Sequence, residues 1–144
     1  MTQSTQSTTQ PQQQPQVLQP PGWARPRGYA NGVAVRGRQV FIAGMIGWDG
    51  DCVFHSDDFA AQARQALANI VEVLREAGGR PEHIVRMTWY VTDKREYIAR
   101  GKEVGTVFRE LIGVYSAAMS AVQVSALMED RAKVEIEMTA VVPR

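Results

Sequence analysis

Near the end of the chain, VEIEMTAVV alternates Val134, Ile136, Met138 and Ala140 with Glu135, Glu137 and Thr139. A strand of this period sets both carboxylates on one face, two residues apart. A carboxylate held away from bulk water there has the raised pKa of a general acid or base. The plainer reading is a solvated rim, with Glu135 paired to Lys133, Arg131 or Gln123. Other reactive groups are sparse. His55 lies near a helix start and His83 follows Pro81-Glu82 in a turn, so neither stands in a nucleophile–base arrangement. Cys52, the sole cysteine, sits in a polar turn, and one Cys with two His is too few for a zinc site. GRG and GMIG lack the Lys and Ser/Thr of a phosphate loop. Neither a Cys/His zinc site nor a phosphate loop is therefore expected.

The elements that must position Glu135 are legible from patterning. At 144 residues, 44% hydrophobic and 22% charged, the chain reads as one compact domain with an appendage. MTQSTQSTTQPQQQPQVLQP has too little apolar surface to fold, so residues 1–21 are expected to be a disordered tail and 22–144 the domain. GWARPRGYANG is turn-rich, but Trp23 and Tyr29 point to docking on the domain. Gly32 to Val35 and Gln39 to Gly44 read as short strands joined through Arg36, Gly37 and Arg38. WDGDCVFH holds a turn at Asp49-Gly50 and room for a further short strand. Ser56, Asp57 or Asp58 caps a first helix carrying Phe59, Ala63, Ala66, Leu67, Ile70, Val73 and Leu74 at helical spacing, and Gly78-Gly79 ends it.

IVRMTWYVTD reads as a strand, and Thr92 or Asp93 caps a second helix, KREYIARGKEVGTVFRELIG, weakened at Gly101 and Gly105. AMSAVQVSAL and KVEIEMTAVV close the chain as strands, expected to form an antiparallel hairpin centred near Asp130. In that hairpin Val122, Val124 and Ala126 share the helix-covered face with Val134, Ile136 and Met138. Met119, Ala121, Gln123 and Ser125 share the opposite face with Glu135, Glu137 and Thr139. Glu135 then lies roughly 16 Å along the sheet from Met119 at ~3.3 Å per residue, so only different subunits can bring the two into one cavity. The order predicts an α+β fold, a mixed sheet with two helices on one face. Its other face, with Ala117, Met119, Ala121, Ser125 and Val141, calls for a second subunit as cover.

The span from Tyr29 to Val142 resembles the RidA family, also called YjgF/YER057c/UK114. GYANGVAVRGRQVFIAGMIG, QARQALANIVEVLREAGG, IVRMTWYVTD, MSAVQVSAL and VEIEMTAVV carry the resemblance. It implies a chorismate-mutase-like fold and a homotrimer with clefts between subunits. It also implies hydrolysis of reactive enamines and imines, such as 2-aminoacrylate, to a keto acid and ammonia, without metal or cofactor. The glutamate that orients a water maps to Glu135, a wall tyrosine to Tyr29, cleft positions to Gly44 and Ile46, and an aromatic to Tyr90. The family's P-A-R-S-x-V segment reads A-A-M-S-A-V here, so Ser120 keeps the serine and Met119 replaces the arginine that grips the substrate carboxylate. Ala121 stands where the family often has cysteine.

Methionine offers neither charge nor donor, and losing a charged hydrogen bond in a pocket costs on the order of several kcal/mol. The cleft is thus expected to be more apolar, lined by Met119, Ile46, Trp48, Trp89 and Tyr90 with Glu135 as its main polar group, and a substitute cation from Arg131 or Arg25 is the disfavoured alternative. The expected function is binding or hydrolysis of a small imine or enamine, without standard 2-aminoacrylate deaminase activity. One alternative is a non-enzymatic ligand-binding or regulatory trimer, and a second is an endoribonuclease or translation inhibitor. A net charge of +1 and no basic run argue against a nucleic-acid partner. No apolar run reaches the ~18 residues of a membrane span. The first residues lack signal-peptide character, and a lone cysteine fits a cytoplasmic location.

Overall fold

The glutamate-bearing strand lies in the middle of a sheet, not in a terminal hairpin. The computed structural model describes residues 14–113 and 116–144. Strands β3 (Arg38–Ile46), β4 (Ile84–Val91), β5 (Ala118–Gln123) and β6 (Val134–Val142) form one mixed sheet in the order β3-β6-β4-β5. β6 buries Val134, Ile136, Met138, Ala140 and Val142 at alternate positions, a pattern that suits a centre. β5 has no fully buried residue and takes an edge. β6 is antiparallel to both neighbours, whereas β5 is parallel to β4. A parallel pair needs a crossover, here α2 (Lys94–Ala99) and α3 (Gly101–Leu111).

This order corrects the hairpin expected around Asp130. The last two strands run in opposite directions, but β4 lies between them. Val124 N–H donates to the Val91 carbonyl at 2.9 Å and Thr92 N–H to the Lys133 carbonyl at 3.2 Å, so the connection straddles the end of β4. The faces of β5 are also the reverse of those expected. Met119 and Ala121 pair with Met87 and Trp89 and so face the helices, while Ser120 and Val122 pair with Thr88 and Tyr90 on the other face. Ala117 is likewise in the core and not on the uncovered face.

Helix α1 (Phe59–Glu76) starts at Asp58, whose carboxylate accepts from Ala61 N–H at 3.0 Å. Gly78, at φ 71°, supplies the left-handed residue that ends it. The expected second helix is broken, with Arg100 at φ −97° and ψ 13° between α2 and α3. The Arg100 guanidinium bridges Asp58 at 2.8 Å and Glu103 at 2.5 Å, which pins the break against the start of α1. Phe59, Leu67, Ile70 and Leu74 of α1 and Val104, Val107 and Phe108 of α3 bury against Met87, Trp89, Ile136 and Met138 of the sheet.

The far face of the sheet has no helix. It presents Phe41, 74% exposed, and Val122, 45% exposed, among Arg86, Thr88, Tyr90, Glu135, Glu137 and Thr139. This surface is more polar than patterning predicts, because β5 contributes its other set of side chains. The tail boundary also moves. β1 (Gln16–Val17) pairs antiparallel with β2 (Val33–Ala34), and Leu18 N–H donates to the Gly32 carbonyl at 2.9 Å. Residues 16–18 are thus tied to the domain, and residues 1–13 of the expected tail lie outside the described residues. Among the described residues no helix is long and apolar enough to cross a membrane.

Candidate functional site

A cavity of about 540 Å³ opens where the β5 edge meets the crossover helices. Its sheet wall is Met119, Ser120 and Ala121 of β5 with Trp89 of β4, and its helix wall is Tyr97, Ile98, Val104 and Phe108. Gly101 and Gly105 sit one turn apart on α3, so both present their missing side chains to this space. A Cβ added at Gly101 would meet nothing within 4 Å. The third wall is Arg27, Gly28 and Tyr29, held along the β5 edge by Ala30, whose N–H donates to the Ala117 carbonyl at 2.9 Å. Burial pushes the Tyr97 phenol above its ordinary pKa, and its ring lies edge-on to Phe59 and tilted on Trp89, each with centroids 6.2 Å away. These walls are apolar and aromatic, with Arg27 the one charged residue among them.

The second group of expected site residues lies on the far face. Glu135 sits in register with Ile46 of β3 and Tyr90 of β4. The β3–β6 ladder slips between Ile42 and Met45, and the irregularity brings the backbone at Gly44 against the Glu135 carboxylate. A Cβ at Gly44 would overlap that carboxylate, so glycine is what lets the two approach. Ile46 is buried, outside the main core cluster. The Tyr90 hydroxyl donates to Glu137 at 2.7 Å, and this bond, with the charge of Glu137, raises the phenol above its usual pKa.

The partners expected of a rim glutamate are engaged elsewhere. Lys133 pairs with Glu96 at 3.2 Å, Gln123 accepts from Lys94 N–H at 2.8 Å, and Arg131 bonds Asp57 at 3.0 Å while lying over the Phe54 ring. The Glu135 side chain makes neither hydrogen bond nor ion pair with any described residue.

One chain therefore unites Tyr29, Met119 and Ser120 in the cavity, and separately Glu135, Gly44, Ile46 and Tyr90 on the far face. Met119 and Glu135 are kept apart by the sheet itself, not by distance along a shared face. Arg131 is committed at the loop before β6, and Arg25 does not line the cavity. Trp89 lines it as expected, whereas Trp48 stacks on Phe54 away from it. Sequence analysis did not assign Arg27, Tyr97, Val104 or Phe108 to the site. The available signal was the glycine pair Gly101 and Gly105 on the same stripe as those aromatic residues, which marks a hollow in a helix face as well as a weak helix.

The endoribonuclease L-PSP family model matches residues 24–142, spanning both groups. The 2-iminobutanoate/2-iminopropanoate deaminase of Salmonella typhimurium is 33% identical over 113 residues, covering 78% of this chain and 86% of that protein. A Rid-family protein of unknown function from Yersinia pestis superposes with a TM-score of 0.79 at 31% identity, over 90% of this chain and 100% of that one. A YjgF/YER057c/UK114 family protein from Mycobacterium tuberculosis superposes with a TM-score of 0.60 at 38% identity, over 81% and 88% of the two chains. The far-face glutamate and the β5 methionine thus sit in a recognised α+β scaffold, and the chain belongs to the RidA/YjgF family of endoribonuclease L-PSP-type proteins.

Proposed function

We propose that this protein binds or hydrolyses a small imine or enamine in clefts between subunits of a homotrimer, and does not act as a standard 2-aminoacrylate deaminase. The observation that carries the reading is Met119, which lies in the cavity beside Tyr29, Trp89, Tyr97 and Phe108, at the position where the resemblance implies an arginine. The named activity of the Salmonella typhimurium relative supports the reaction class. In it water adds to the C=N carbon, and the resulting carbinolamine expels ammonia to leave a carbonyl. Glu135, whose side chain has no partner among the described residues, is the group to take the proton from that water, and it reaches a cavity only on a neighbouring subunit.

The apolar walls favour a substrate with a larger or less charged body than 2-aminoacrylate. They equally suit a ligand-binding protein that performs no reaction, and Met119 is the residue that favours this second reading. Ribonuclease chemistry has less support. His55 is engaged with Asp49 at 2.6 Å, and His83 accepts from Arg80 N–H at 3.0 Å, both away from the cavity. The test is to generate 2-imino acids of increasing side-chain size with an amino-acid oxidase and follow carbonyl formation with and without the protein. Acceleration that grows with side-chain size supports hydrolysis. Binding of these compounds without acceleration supports the second reading, and neither effect sinks both.

A further inference from the structure

We infer that Arg27 gives the cavity a carboxylate-binding cation at a new position, so that its ligand is a carboxylate on an aromatic or long apolar body. This rests on the cavity being the ligand site, as proposed above. Three observations carry it.

Arg27 is the one charged residue among the described residues lining the cavity, and no carboxylate lines it. By contrast, Arg100, at the break between the two crossover helices, is neutralised by Asp58 and Glu103. Arg27 makes no ion pair or side-chain hydrogen bond with a described residue, so its five donors are available to a ligand. Finally, its backbone is not loose. Gly28, at φ 77°, turns the chain between Arg27 and Tyr29, and Ala30 anchors the segment to the β5 edge through the Ala117 carbonyl.

The position of the cation sets the shape of the ligand. Arg27 belongs to the wall outside the β5 edge, across the cavity from α2 and α3. A guanidinium on β5 would grip a carboxylate at the sheet wall, beside Met87 and Trp89. Here that wall is methionine, and the grip comes from the opposite side. A three-carbon acid bound to Arg27 would leave the space between Met119, Trp89, Tyr97 and Phe108 empty. An aromatic body fills it with the offset and edge-on contacts these rings offer.

The probes are phenylpyruvate, an aromatic 2-oxo acid, and phenylacetone, the same skeleton without the carboxylate. Both are titrated by calorimetry into the full chain, wild type, Arg27→Gln and Arg27→Lys. Arg27 is exposed, so both variants are expected to fold, with far-UV dichroism as the check. The inference expects Arg27→Gln to weaken phenylpyruvate roughly tenfold or more, to leave phenylacetone unchanged, and Arg27→Lys to recover part of the loss. Equal weakening of both probes, no weakening of either, or wild-type binding of phenylacetone alone overturns the role of Arg27 while leaving the cavity as the ligand site. Wild-type binding of neither probe overturns the cavity reading on which the inference stands.

Discussion

Gly44 and Glu135 approach closely on the far face, and the approach rests on the absence of one side chain. Gly44→Ala would drive a Cβ into the Glu135 carboxylate, so the variant is expected to lose about 1–3 kcal/mol, the usual cost of overpacking, and to displace the glutamate. Denaturant unfolding checks the size of the loss. In a Glu135→Ala background the same change should cost much less, because the atoms it strikes are gone. An equal cost in both backgrounds would show that the glycine serves the backbone alone.

The place of Glu135 on the strand face opposite Ile136 was readable from the sequence, because the strand period sets it. Its isolation from Lys133, Arg131 and Gln123 was not, since each of those finds its partner in a different element: Glu96, Asp57 and the Lys94 backbone. Arg27 escaped notice for a related reason. A turn-rich segment carries no periodicity to say which side chain points at a cavity.

At the level of elements, the start of α1 and the break between α2 and α3 are one structure, because Asp58 serves both. It caps α1 through Ala61 N–H and receives the Arg100 guanidinium, and these contacts hold its carboxyl below the ordinary aspartate range, the arginine bond contributing most. Asp58→Ala should cost about 1 kcal/mol, the usual value of a lost N-cap. Asp58→Asn, which keeps a cap oxygen, should cost only part of that, since the exposed ion pair adds little. The sign of the pH effect follows from the lowered pKa. The stabilisation is present above the unfolded-state aspartate pKa and fades as pH falls through the lower folded-state value. Thermal unfolding across the acid range should therefore show a smaller acid-induced loss in Asp58→Ala than in the wild type.

Among the elements, the helix caps and the buried alternation of β4 and β6 were legible. The placement of β5 was not. A strand with no fully buried residue gives no face preference strong enough to fix register, and sequential strands separated by a turn invite a hairpin reading. What decided the matter is the crossover through α2 and α3, which delivers β5 parallel to β4. That choice flipped every β5 side chain and moved Met119 from the Glu135 face into the cavity.

For the whole molecule, the consequence is that Met119 and Glu135 lie on opposite faces of one sheet, so a joint site requires two copies of the chain. The far face leaves Phe41 and Val122 exposed. In a Cys52→Ser background, a mixture of Met119→Cys and Glu135→Cys chains treated with a short bismaleimide should yield covalent dimers. Each variant alone should yield few. Dimers absent from the mixture would separate the cavity from the glutamate and dismantle the cleft. The RidA-like order of elements could be read from sequence across the whole domain, but this division of the site between faces could not, because it depends on the β5 flip.

The central claim is that methionine at position 119 removes the standard reaction while the rest of the cleft survives. The direct measurement is pyruvate release from 2-aminoacrylate, generated in place by a serine or threonine dehydratase, with wild type and Met119→Arg compared to buffer. We predict a wild-type rate indistinguishable from buffer and a clear acceleration by Met119→Arg. Acceleration by the wild type would contradict the account.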